Sequence, residues 1–123
     1  MSARKTDARR AAEVVETIQE SRNRIEAFGL TEESLLQTDT IEMRSIADAL
    51  LMCVLRVTEE AGKLSEHAKG LHPEIDWAGI AGMRNFLAHD YGNVDRRMVW
   101  AAISDEFDSL EQACRQIIAE SEL

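Results

Sequence analysis

The sequence predicts an all-α protein, an antiparallel bundle of four to five helices. Three observations carry this. Six Gly and one Pro are spread over 123 residues. Ala, Glu, Leu, Arg and Ile are abundant and β-branched runs are few. Apolar residues recur at spacings of three and four rather than in alternation. This length suits one domain, 1–123, which on folding buries roughly two thirds of the unfolded chain's surface and needs no staple.

In the first helix Ala11, Val14, Ile18, Ser21, Ile25 and Phe28 form an apolar stripe broken only by the serine, and Gly29 stops it. Thr31 reads as the N-cap of a brief second helix, with Leu30 stapled onto Leu35. Asp39 or Thr40 can cap a long third helix. Its face runs through Ile46, Leu50, Val54, Val57, Ala61 and Leu64 and ends near Gly70, before Pro73. Asp76 caps a fourth helix from Trp77 to about His89, with Gly92 as its stop. Asp95 caps a fifth, whose stripe is Val99, Ile103, Leu110, Ala113 or Cys114, and Ile117. These stripes pack as a bundle. No internal repeat, low-complexity segment or linker interrupts them.

Net charge is −9, which disfavours extended binding along nucleic acid, because phosphate contacts need cations. The charge is unevenly spread, however. Residues 84–97 hold Arg84, Arg96 and Arg97 against Asp90 and Asp95, a locally basic stretch on an acidic body. Cys53 and Cys114 have neither CxxC nor Cys/His ligand spacing, so they read as small hydrophobes in a reducing compartment. The opening MSARKTDARR leads into a charged helical pattern, and no later run approaches the roughly 18 apolar residues of a membrane span. A soluble, cytoplasmic protein is expected.

The stretch RNFLAHDYGN, residues 84–93, carries polar groups that packing does not require. On a wheel at about 100° per residue, Ile80, Met83, Leu87 and Tyr91 share the core face. Asn85 and His89 lie roughly opposite, and Arg84 lies on the flank. Arg84 and His89 are separated by about 140°, so they meet only if the helix loosens near its end or if two copies face each other. The second arrangement predicts a homodimer with two His and two Arg in one cleft. On spacing alone, Asn85 and His89 suit plain surface residues better than a site, with His89 favoured near a helix C-terminus.

The segment WAGIAGMRNFLAHDYGNVDRRMVW, residues 77–100, resembles the C-terminal signature of HepT-like proteins of the HEPN superfamily. Arg84, His89 and Tyr91 reproduce that family's R-x4-H-x-Y pattern, and Asn85 supplies the polar residue after the arginine. Pro73, Trp77, Gly82-Met83, Val94-Asp95 and Val99-Trp100 fit the context. Glu60-Ala61 stands where the family has Gly-Glu-Ala, with Glu59 replacing the glycine. The resemblance implies a dimerising helical bundle acting as a metal-independent RNA endonuclease without a cofactor, the toxin of a toxin–antitoxin module. Its implied partners are a second copy, an RNA substrate and a cognate MntA-like nucleotidyltransferase antitoxin. Arg84 and His89 correspond to the catalytic pair and Asn85 to the residue that orients them. Tyr91 corresponds to the tyrosine that receives AMP and silences the toxin.

The implied chemistry suits these residue types. A histidine titrates near cellular pH and can act as base or acid, and an arginine forks onto two phosphate oxygens. Two copies divide the acid and base roles between two histidines, giving a 2′,3′-cyclic phosphate. Arg96 and Arg97 open the last helix, an unfavourable end for cations, and read as either RNA or partner contacts or as solubilising surface. His67 and His72 lack metal-ligand spacing. Glu59 and Glu60 read as a solvated face beside Lys63. The net charge keeps a different alternative open, a non-catalytic helical dimer that docks a nucleotidyltransferase as scaffold or regulator.

Overall fold

The computed structural model describes residues 5–37 and 39–121; residues 1–4 of the charged N-terminal stretch lie outside them. Among the described residues every regular element is helical. Helix α1 spans Asp7–Ala27 and starts at Thr6, whose hydroxyl accepts from the Arg9 N–H at 3.1 Å. Ala11, Val14, Ile18 and Ser21 are fully buried. The serine that interrupts the stripe is satisfied within the helix, donating to the Ile18 carbonyl at 2.6 Å. Gly29 terminates α1 in the left-handed region, at φ 58. Phe28 is consequently not core: it lies beyond the last helical turn and is 59% exposed.

Helix α2, Glu32–Leu36, is fixed by reciprocal bonds between Thr31 and Ser34. Leu30 and Leu35 are both buried, as the staple requires. Helix α3, Ile41–Gly62, is capped by Thr40, whose hydroxyl accepts from the Met43 N–H at 3.1 Å. It stops earlier than the sequence pattern suggests. Ser65 starts a separate α4, Glu66–Gly70, by accepting from the Ala68 N–H. Asp7 of α1 holds Ser65 in place through its backbone N–H at 2.9 Å and its hydroxyl at 2.6 Å. A tertiary contact thus breaks what periodicity reads as one helix.

Helix α5, Trp77–His89, is capped by Asp76, whose Oδ1 accepts from the Gly79 N–H at 2.9 Å. A Cβ on Gly79 would lie 2.3 Å from Asp76 Oδ2, so glycine lets the carboxylate lie closer over the helix start than a larger residue would. The Trp77 indole donates to the carbonyls of Lys69 and His72 and ties α5 to the turn after α4. Helix α6 is continuous over 96–121. It comprises Arg96–Ala101, a π-helical turn Ala102–Glu106 and Phe107–Ser121. The Phe107 N–H reaches back five residues to the Ala102 carbonyl. Val99, Ile103, Leu110, Ala113, Cys114 and Ile117 are buried as expected, and the wide turn adds Phe107 to the core.

The core lies among α1, α3 and α6, and α5 packs on α3. Helices α1 and α3 run antiparallel, with Asp7 meeting Ser65 and Arg10 meeting Glu60 at one end. Glu60 is accordingly not a solvated residue. It pairs with Arg10 at 3.0 Å and Lys5 at 3.1 Å across the helix interface. No helix of the described residues is long and apolar enough to cross a membrane.

Candidate active site

Helix α5 buries little of itself. Leu87 is its one fully buried residue, and Ile80 and Met83 are half-buried against α3. Ala78, Gly79, Ala81, Gly82, Asn85, Ala88 and His89 are exposed. Asn85 and His89 thus point away from the subunit's core, as the wheel places them, and Arg84 sits half-buried on the flank. The Arg84 Nη1 is 3.4 Å from Asn85 Oδ1, while its Nη2 is 4.0 Å from Glu59 Oε1 on α3.

Arg84 does not pair with His89 within the chain; its polar neighbours among the described residues are Asn85 and Glu59. The helix stays regular to its end, where the Asp90 N–H bonds to the Phe86 carbonyl at 2.8 Å. The loosening that would bring the pair together is therefore absent, and the wide angular separation stands.

Tyr91 is a correction to the wheel. It lies outside α5, in a 3-10 turn Tyr91–Asn93, and is 70% exposed rather than core. The phase of a wheel is lost at Asp90, whose backbone leaves the helical region at φ −143 and ψ 33. Asp90 also accepts from the Asn93 amide at 2.7 Å, and the Asn93 N–H bonds to the Asp90 carbonyl at 3.0 Å. The stop is made by this Asp90–Asn93 turn; Gly92, the expected stop, has no positive φ. The Tyr91 ring stands beside a hollow of about 350 Å³ lined by Leu51, Met52, Leu55, Leu87 and Ala88, with Asp48 at its margin. Met52 is 54% exposed there.

The two arginines of α6 differ. Arg96 donates to the carbonyls of Leu35 at 3.1 Å and Gln37 at 3.4 Å, where the end of α2 leaves acceptors without helical partners. Arg97 is exposed, 3.6 Å from Asp95. Burial pushes the Cys114 thiol up to about 12. It also raises that of Cys53, a shift partly opposed by the Arg24 guanidinium, 3.2 Å from the sulfur. Both thiols are thus held as buried apolar groups. His72 is buried beside Glu74, with its Nδ1 3.2 Å from the carboxylate. Among the described residues no group of three or more His, Cys, Asp and Glu is placed to hold a metal ion.

Residues 18–117 match the family described as Ribonuclease HepT-like. The chain belongs to that family. The HepT-like match takes in all of α5, Tyr91 and both arginines of α6. The protein named "Probable ribonuclease HepT" of Thermococcus cleftensis is 39% identical over 62 residues, 47% of this chain and 56% of that protein. A protein of Caldanaerobacter subterraneus that carries an RNase name is 35% identical over 65 residues, 52% of this chain and 58% of its own length. One of Methanocaldococcus jannaschii, also named as an RNase, is 28% identical over 82 residues, 67% of this chain and 71% of its own. The HepT-like chain thus spans little more than half the length of the first two relatives. No solved structure gives a significant match.

One neighbour of the motif escapes sequence reading. Glu59 reads as solvated beside Lys63, and its Oε1 does lie 3.4 Å from that ammonium. The same oxygen faces Arg84. Only the packing of α3 on α5 brings residues 59 and 84 together, and no spacing within one helix encodes that.

Proposed function

We propose that this HepT-like protein is a cytoplasmic, metal-independent RNA endonuclease, the toxin of a toxin–antitoxin module, working as a homodimer. The family match supports the ribonuclease part of the reading, and the exposed face of α5 supports the homodimer. A helix of thirteen residues with one fully buried side chain leaves a surface of alanine and glycine on which Asn85 and His89 stand. Small side chains let a second helix approach closely. The adjoining apolar surface of Met52, Leu55 and Ala88 extends the area available to a second copy, with Tyr91 left exposed at its edge. Two copies joined here bring two Arg84 and two His89 side chains into one cleft.

In that cleft one His89 takes the proton from the ribose 2′-hydroxyl, whose oxygen attacks phosphorus. The other protonates the departing 5′-oxygen, leaving a 2′,3′-cyclic phosphate. Arg84 stabilises the charge gathering on the phosphoryl oxygens, and Asn85, beside it, orients the guanidinium. The exposed Tyr91 hydroxyl is open to AMP transfer by a cognate nucleotidyltransferase. A nucleotide there sets a bulky anion two residues from His89 and excludes RNA phosphate by repulsion and occlusion.

The net charge of −9 favours the alternative, a non-catalytic dimer that docks the nucleotidyltransferase. RNA incubated with the protein in EDTA separates the two. New ends carrying 2′,3′-cyclic phosphate are expected, and intact RNA would support the docking module. In parallel, intact mass after exposure to the nucleotidyltransferase and ATP is expected to rise by AMP in the wild type and not in Tyr91→Phe. An unmodified wild type removes Tyr91 as the control point.

A further inference from the structure

Arg84 is not a free cation. Its Nη1 lies 3.4 Å from Asn85 Oδ1 and its Nη2 lies 4.0 Å from Glu59 Oε1, so both terminal nitrogens face intramolecular acceptors. A phosphate gripped by a forked guanidinium needs those same donors. Glu59 and Arg84 are each 37% exposed at the side chain, so water partly screens the contact and an incoming anion can displace it. Lys63 shares the Glu59 oxygen at 3.4 Å, which leaves the carboxylate a partner after Arg84 departs. On its other side Glu59 lines a groove between α1 and α3, where Glu13, Glu16, Glu20 and Glu60 outnumber Lys5 and Arg56. The surface beyond Glu59 thus carries more carboxylates than cations, which disfavours a phosphate there.

We propose that Glu59 is a positioning residue for Arg84: its carboxylate holds the guanidinium back against α3 in the free protein and yields it to an RNA phosphate, so that Glu59 sets how tightly the site binds RNA. This rests on the RNA-cleaving reading of the site. Because the contact is a partly exposed ion pair, its removal strengthens phosphate binding by roughly two- to five-fold. The gain appears in KM rather than kcat, since Glu59 competes with the ground-state contact and touches no reacting atom.

The test measures equilibrium binding of a non-cleavable 2′-O-methyl oligoribonucleotide to wild type, Glu59→Gln, Arg84→Ala and the double variant, at low salt and at about 1 M NaCl, where screening acts within about 3 Å. Glu59→Gln is expected to bind two- to five-fold more tightly than wild type at low salt, with the gain lost at high salt and in the Arg84→Ala background. Glu59→Asp, which keeps the charge, is expected to return binding toward wild type. Equal binding by wild type and Glu59→Gln overturns the proposal, as does a gain that persists without Arg84, which would mean a general charge effect. With unmodified RNA, Glu59→Gln is expected to lower KM by the same factor at constant kcat. If the coupling to Arg84 is present but the wild type cleaves nothing, Glu59 keeps its role in holding Arg84 and the nuclease reading fails.

Discussion

At the residue scale, the polar contacts divide those that hold the bundle from those left for chemistry. Arg22 of α1 pairs with Asp108 and Glu111 of α6, and Arg115 bonds the Glu111 carboxylate again at 2.8 Å. Burial alone would raise the Glu111 carboxyl, but the hydrogen bonds from Arg22 and Arg115 outweigh it and hold the group below its ordinary 4.5. A depressed folded-state value contributes stability that is present above the ordinary value and lost as pH falls through the folded one. Thermal melts of the wild type are therefore expected to weaken as pH drops below 4.5. Glu111→Gln is expected to cost roughly 1 kcal/mol at neutral pH and to flatten that acid limb. An unchanged limb in Glu111→Gln would contradict the assignment. By contrast, Asn85 and His89 stand exposed on α5 and contribute nothing to the core.

At the element scale, α5 is a short helix whose start is fixed by one side chain and whose end is fixed by a turn. Replacing Asp76 with alanine removes the bond to the Gly79 N–H and is expected to cost about 1 kcal/mol. Gly79→Ala is expected to cost less, because the Asp76 carboxylate can shift away from the new Cβ and alanine favours the helix by about 1 kcal/mol. Denaturant midpoints measure both, and a loss in Gly79→Ala as large as that in Asp76→Ala would show that the carboxylate has no room to shift. The caps were legible in sequence because they are local: Thr31, Asp76 and Asp95 each act within three residues. What stayed hidden depends on tertiary contacts or on a change of phase. Asp7 starts α4 by holding Ser65, the π-helical turn brings Phe107 inward, and the break at Asp90 carries Tyr91 out of the wheel's register. The motif was legible as outward-facing residues on one helix, whereas Glu59 beside Arg84 was not, since it depends on how α3 packs on α5.

At the scale of the whole molecule, a regular helix keeps Arg84 and His89 apart, so the proposed reading needs a second chain, for which the bare face of α5 with Met52 beside it is the proposed surface. Met52→Glu puts a charge into that apolar surface and is expected to shift the sedimentation of the protein from dimer to monomer, with cleavage lost in parallel. A wild type that sediments as a monomer while cleaving RNA would contradict the shared cleft. The most direct test of the account is the rate of RNA cleavage in EDTA by His89→Ala against wild type. The account predicts a fall of about 100-fold or more with the fold and dimer intact; cleavage near the wild-type rate would show that the chemistry lies elsewhere.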